Sequence, residues 1–80
     1  MNPTRNTADK LFLRRRIIGL ELCLLRTQKK MSLSEAASKS GVSKKNIKLI
    51  ESGKSFSLYQ VAILSALYGH ELCFELIKTS

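Results

Sequence analysis

One stretch of the sequence concentrates side chains able to act on a charged ligand: Ser43, Lys44, Lys45 and Lys48, followed closely by Ser52 and Lys54. On a helix, residues three and four apart are neighbours, so these lysines gather on one side. They supply positive charge and hydrogen-bond donors, and any catalysis would have to be built from lysines and serines alone. The chemistry on offer is anion recognition. The whole chain leans the same way, with 14 Lys+Arg against 6 Asp+Glu and a formal net charge of +8 over 80 residues. Between Arg26 and Lys54 there are eight basic residues and two acidic ones, Glu35 and Glu51. Such a balance points to nucleic acid, an anionic membrane surface or an acidic protein as partner.

Other chemistries find little to build on. The single histidine, His70, follows a helix end and reads as a capping or solvent-facing group. Cys23 and Cys73 form no CxxC pair and have no histidine at metal-ligand spacing, so they read as packing thiols of a reduced, cytoplasmic protein. There is no glycine-rich phosphate loop and no carboxylate cluster, so neither an enzyme nor a metal or other cofactor is expected. With no apolar run of about 18 residues and no signal-peptide pattern, the chain reads as soluble and unexported, without a membrane partner.

The elements that must position the lysines follow from capping and periodicity. Residues 1–6 have no apolar rhythm and read as a flexible arm. A long helix is expected from Thr7 to Asp9 through about Lys29, with two apolar stripes rather than one. Ile18, Leu22 and Leu25 form the first; Leu13, Ile17, Leu20 and Leu24 form the second. One stripe covers a small core, and the other needs a different cover. Ser32-Leu33-Ser34-Glu35 is a capping box opening a second helix that ends at Gly41. Ser43 caps a third helix, Lys44 to Ser52, anchored by Ile47 and Ile50 and stopped at Gly53. Ser57-Leu58-Tyr59-Gln60 opens a fourth, carrying Leu58, Val61, Ala62, Leu64, Ala66 and Leu67 and closed by Gly69. Tyr59 and Tyr68 read as packing residues, and Arg14-Arg15-Arg16 as a solvated helical face.

Two short helices around a tight turn, from Glu35 to Ile50, have the layout of a helix-turn-helix. Ala37 is small where the helices would cross, Gly41 makes the turn, and Val42, Ile47 and Ile50 point inward. That leaves Lys44, Lys45, Lys48, Leu49 and Ser52 outward together. Ser32 through Lys54 resembles the phage repressor/Cro-like (xenobiotic-response-element) family. The matching residues are Ala37, Gly41-Val42-Ser43, Ile47, Ile50-Glu51-Ser52-Gly53-Lys54 and, upstream, Leu25-Arg26. With its flanking helices the likeness covers about residues 11–68.

The resemblance implies an all-α fold of four or five helices and a transcription regulator that binds double-stranded DNA. By the same resemblance Ser43, Lys44, Lys45, Lys48 and Leu49 would face bases. Ser32, Leu33, Ser52 and Lys54 would meet phosphates, and Arg26 would pair with Glu51. Leu33 stands where the family commonly has glutamine. A protein-binding module, such as an antitoxin or anti-activator whose scaffold meets a toxin or an activator, is the alternative reading.

Past Gly69 the rhythm changes. Leu72, Phe74 and Leu76 alternate with Cys73, Glu75 and Ile77, which favours a strand over a helix. A lone strand would need a partner from another molecule. Leu67 to Leu76 is similar to the ending of a subset of the family, including antitoxins of kinase toxins, in which a C-terminal strand pairs across a dimer. The expected organisation is therefore an arm (1–6), a helix-turn-helix domain (7–69) and a dimerisation tail (70–80), with Leu72, Phe74 and Leu76 at the interface of a homodimer.

Overall fold

The computed structural model describes residues 3–72, with the side chains described from Asp9 onward. Four helices follow in order: α1 (Pro3–Gln28), α2 (Leu33–Ser40), α3 (Lys44–Glu51) and α4 (Leu58–Leu67). Among the described residues there is no strand. Phe74 and Leu76, two of the three residues of the expected dimer strand, lie outside the described residues, as does Cys73.

Helix α1 begins at Pro3 rather than at Thr7 to Asp9. The helix thus runs through residues expected to form a flexible arm. Proline is well suited to a first helical position, because its fixed φ is already helical and its missing N–H is one the helix start leaves unpaired anyway. At the other end α1 stops at Gln28, and Lys30 takes the left-handed conformation at φ 57°. Met31 N–H then donates to Arg26 O at 3.1 Å and Lys30 N–H to Thr27 O at 3.0 Å. This is a Schellman closure with lysine at the position usually given to glycine.

The three shorter helices start and stop as their capping residues dictate. Ser32, Ser43 and Ser57 each accept a hydrogen bond at the side-chain oxygen, from the N–H of Glu35, Asn46 and Gln60 respectively. Glu35 uses its carboxylate differently from a full capping box, lying 3.6 Å from Lys39 Nζ one turn on. Gly41 closes α2 at φ 79°, and Gly53 closes α3 at φ 78°.

The core is formed by Leu22, Ala36, Val42, Ile47, Ile50, Val61, Leu64 and Tyr68, all buried. Ile18, Leu25, Met31, Leu33, Ala37, Phe56, Ile63, Leu67 and Leu72 pack around it. Helix α1 packs on α3, and α2 packs on both α3 and α4. Ala36, rather than Ala37, is the fully enclosed small residue of α2; Ala37 is half-buried beside it. Tyr68 is a packing residue as expected, whereas Tyr59 is 76% exposed. Leu72 rests against its own chain's core.

The two stripes of α1 separate as the sequence requires. Leu22 is buried and Ile18 and Leu25 pack on the core, while Leu13, Ile17, Leu20 and Leu24 face outward.

Candidate nucleic-acid interface

The outward side of α3 is fixed by its inward side. Ile47 and Ile50 are fully buried, which turns Lys44, Lys45 and Lys48 to solvent and leaves Leu49 half-buried between faces. Lys44, Lys45, Lys48, Leu49, Ser52 and Lys54 together line one open depression. Six of the residues expected to meet bases or phosphates are therefore on one surface. Ser43 begins the same helix and is exposed; its Oγ accepts from Asn46 N–H at 3.1 Å, which leaves its hydroxyl proton free to donate outward. Ser52 Oγ instead donates to Leu49 O at 2.9 Å, leaving its oxygen lone pairs outward.

Ser32 is exposed at the start of α2, with its Oγ serving as the cap acceptor at 3.0 Å from Glu35 N. Leu33 is packed against the core, so its side chain offers an anion nothing. What it brings is the backbone N–H at the first position of α2, a donor that a helix start leaves unpaired. A glutamine there would add a side-chain donor.

The presentation of α3 depends on two contacts with α1. The first is Arg26. Its Nε donates to Glu51 Oε2 at 2.8 Å and its Nη2 to Glu51 Oε1 at 3.1 Å, a two-pronged pair between side chains 13% and 11% exposed. Nη1 of the same residue donates to Met31 O at 2.9 Å, so the guanidinium also holds the turn leaving α1. Its hydrogen bonds to Glu51 push the Arg26 pKa above its ordinary value. The expected ion pair is thus present as a two-pronged contact.

The second contact is Gly19, which sequence reasoning did not single out. It sits against the last turn of α3; a Cβ placed there would collide with Ile50 O and lie 2.8 Å from Glu51 O. Only its position mid-helix, where alanine would be the stronger helix former, could have signalled it. Tyr68, a packing residue by sequence, also extends the same buried corner. Burial, with Glu51 nearby, raises its pKa, and its hydroxyl has no hydrogen-bond partner among the described residues. Burial also raises the Cys23 thiol, whose Sγ lies 3.9 Å from Arg26 Nη2.

A family model described as helix-turn-helix, of the phage repressor/Cro type, matches residues 24–72. The chain belongs to that helix-turn-helix family. The matched span holds α2, the turn, α3 and α4 together with the end of α1, and it contains every residue of the depression. The chain accordingly carries the DNA-binding domain of a family of transcription regulators. No curated protein and no solved structure gives a significant match. Among the described residues no helix is long and apolar enough to cross a membrane.

His70 closes α4 rather than joining the basic surface. Its backbone N–H donates to Ser65 O at 2.8 Å, Gly69 N–H donates to Ala66 O at 3.0 Å, and Gly69 takes φ 82°. Of the three consecutive arginines, Arg15 lies over the Phe56 ring at 5.8 Å and the stem of Arg16 lies beside Gly53.

Proposed function

We propose that the protein is a homodimeric repressor that reads an inverted repeat through the major groove of duplex DNA. In this reading Ser43, Lys44, Lys45, Lys48 and Leu49 approach base edges, Leu49 as an apolar contact for a thymine methyl. Ser32, Lys54 and the backbone N–H of Leu33 hold phosphates, and Ser52 joins them by turning its hydroxyl proton from Leu49 O to the phosphate; these contacts fix register without reading sequence. No cofactor is required. The single observation that carries the proposal is the basic depression along α3, with its lysines on the exposed side of a helix anchored by Ile47 and Ile50.

Selection of bound sequences from a random duplex pool tests it. The expected product is a palindrome whose half-sites are centred about 34 Å apart, one helical turn. If each subunit neutralises about four phosphates, log K falls against log salt with a slope of about −7. A pool that never enriches, or binding that ignores salt, would contradict the proposal. Leu49, apolar amid the lysines, favours the second reading, a protein-binding surface of the antitoxin or anti-activator kind. Capture of a partner that survives Lys44→Glu, Lys45→Glu and Lys48→Glu together would support that reading instead.

A further inference from the structure

Four large apolar side chains stand on the side of α1 that faces away from the core. Leu13, Ile17, Leu20 and Leu24 are 58%, 53%, 57% and 59% exposed. Single exposed leucines are ordinary, but these follow one another at spacings of four, three and four, the rhythm of a helix that pairs with another helix. A shallow groove lined by Lys10, Leu13, Arg14, Ile17, Ile18 and Glu21 runs beside them.

We propose that this face binds the same face of a second copy of the chain, with the two α1 helices antiparallel. The spacing is self-complementary in that direction. With the two-fold between Ile18 and Gly19, Leu13 lies opposite the partner's Leu24, and Ile17 lies opposite the partner's Leu20. All four apolar layers are then filled by two residues each. The edge charges match as well. Arg14 lies one turn beyond Lys10 and on the same side as Glu21, so each Arg14 meets the partner's Glu21, twice by symmetry. Among the described residues Glu21 makes no ion pair within its own chain.

A parallel pair fits less well. It would set Lys10, which continues the stripe one step earlier, against the partner's Lys10. The antiparallel pair sets it against the partner's Thr27. A parallel edge would also need Arg16 for the partner's Glu21, and the stem of Arg16 is packed beside Gly53. Antiparallel helices additionally bring opposite dipole ends together. The inference rests on the homodimer of the proposed function and assigns the surface that makes it.

Cysteine cross-linking reads the direction. In a background of Cys23→Ser and Cys73→Ser, a Leu13→Cys chain mixed with a Leu24→Cys chain is expected to give an oxidised heterodimer, and neither chain alone a comparable yield of homodimer. Self-cross-linking of the Leu13→Cys chain would overturn the antiparallel register, and a monomeric wild-type chain in sedimentation equilibrium would overturn the proposal as a whole. Arg14→Glu is expected to weaken the dimer about tenfold, since two exposed pairs become repulsive, and Glu21→Arg added to it restores the dimer. An unchanged dimer constant in Arg14→Glu would count against the register.

Ile17→Glu with Leu20→Glu is expected to weaken the dimer by about a hundredfold or more while leaving the helical spectrum intact, because both residues face solvent in the single chain. A dimer that survives this change refutes the α1 surface and leaves DNA reading untouched. A wild-type dimer with no salt-dependent binding to any duplex refutes DNA reading and leaves the α1 surface standing.

Discussion

Replacing Gly19 by alanine separates helix propensity from helix contact. In an isolated helix the change would stabilise by about 1 kcal/mol, because alanine orders more cheaply than glycine. Here the new methyl would collide with Ile50 O and come within 2.8 Å of Glu51 O. Both neighbours are backbone atoms, so no side-chain rotation relieves the overlap and α1 must move off α3. Overpacking of this sort costs about 1–3 kcal/mol, and rigid neighbours put it at the upper end. The difference is a net loss of about 2 kcal/mol, close to a thirtyfold change in the folding equilibrium. For a domain of this size that lowers the melting temperature by about 10 °C. Urea unfolding followed by helical circular dichroism measures it, at one protein concentration because any self-association would add to apparent stability. A variant more stable than the wild type would refute the close α1–α3 contact and with it the account of how α3 is held.

Three other perturbations have defined outcomes. Tyr68→Phe deletes a buried hydroxyl without a partner among the described residues, so it is expected to be neutral or stabilising by up to about 1 kcal/mol in the same unfolding assay. In the wild type the Tyr68 pKa is raised by burial, so its contribution is complete below the unfolded tyrosine value of about 10 and is lost as pH rises through the higher folded value. Ultraviolet titration should find that this tyrosine ionises later than free tyrosine. Arg26→Ala leaves Glu51 partly buried without its cation and should cost about 3 kcal/mol or more, whereas Lys39→Ala, which removes only the exposed pair with Glu35, should cost under about 0.5 kcal/mol. Lys30→Gly relieves a left-handed lysine at φ 57° and should raise stability by about 1 kcal/mol, read as a higher urea midpoint at unchanged slope.

The parts of this fold that were legible beforehand are those set by neighbouring residues. Serines at Ser32, Ser43 and Ser57 announce helix starts because a hydroxyl can accept the free N–H groups, and Gly41, Gly53 and Gly69 announce ends because the left-handed turn favours them. The inward set Val42, Ile47 and Ile50 fixes the outward lysines by helical geometry alone. Features set by distant residues were hidden. Gly19 matters because of carbonyls at Ile50 and Glu51, and nothing around it in the chain says so. Ala36 and Ala37 are adjacent and chemically equal, so only the angle of the α2 crossing decides which is enclosed. The early start of α1 was hidden because residues 1–6 have no apolar periodicity, although Pro3 suits a first helical position. Leu33 shows the limit of carrying a family position across, since here the side chain joins the core.

In the proposed function the exposed face of α3 reads base sequence while the flanking groups hold phosphate. The most direct test is the ratio of affinities for a selected duplex and a scrambled one, measured at one salt concentration for wild type, Lys44→Ala with Lys45→Ala, and Lys54→Ala. The double substitution should reduce the ratio by about tenfold or more, whereas Lys54→Ala should weaken both duplexes alike and leave the ratio unchanged. A ratio untouched by loss of Lys44 and Lys45 would contradict it.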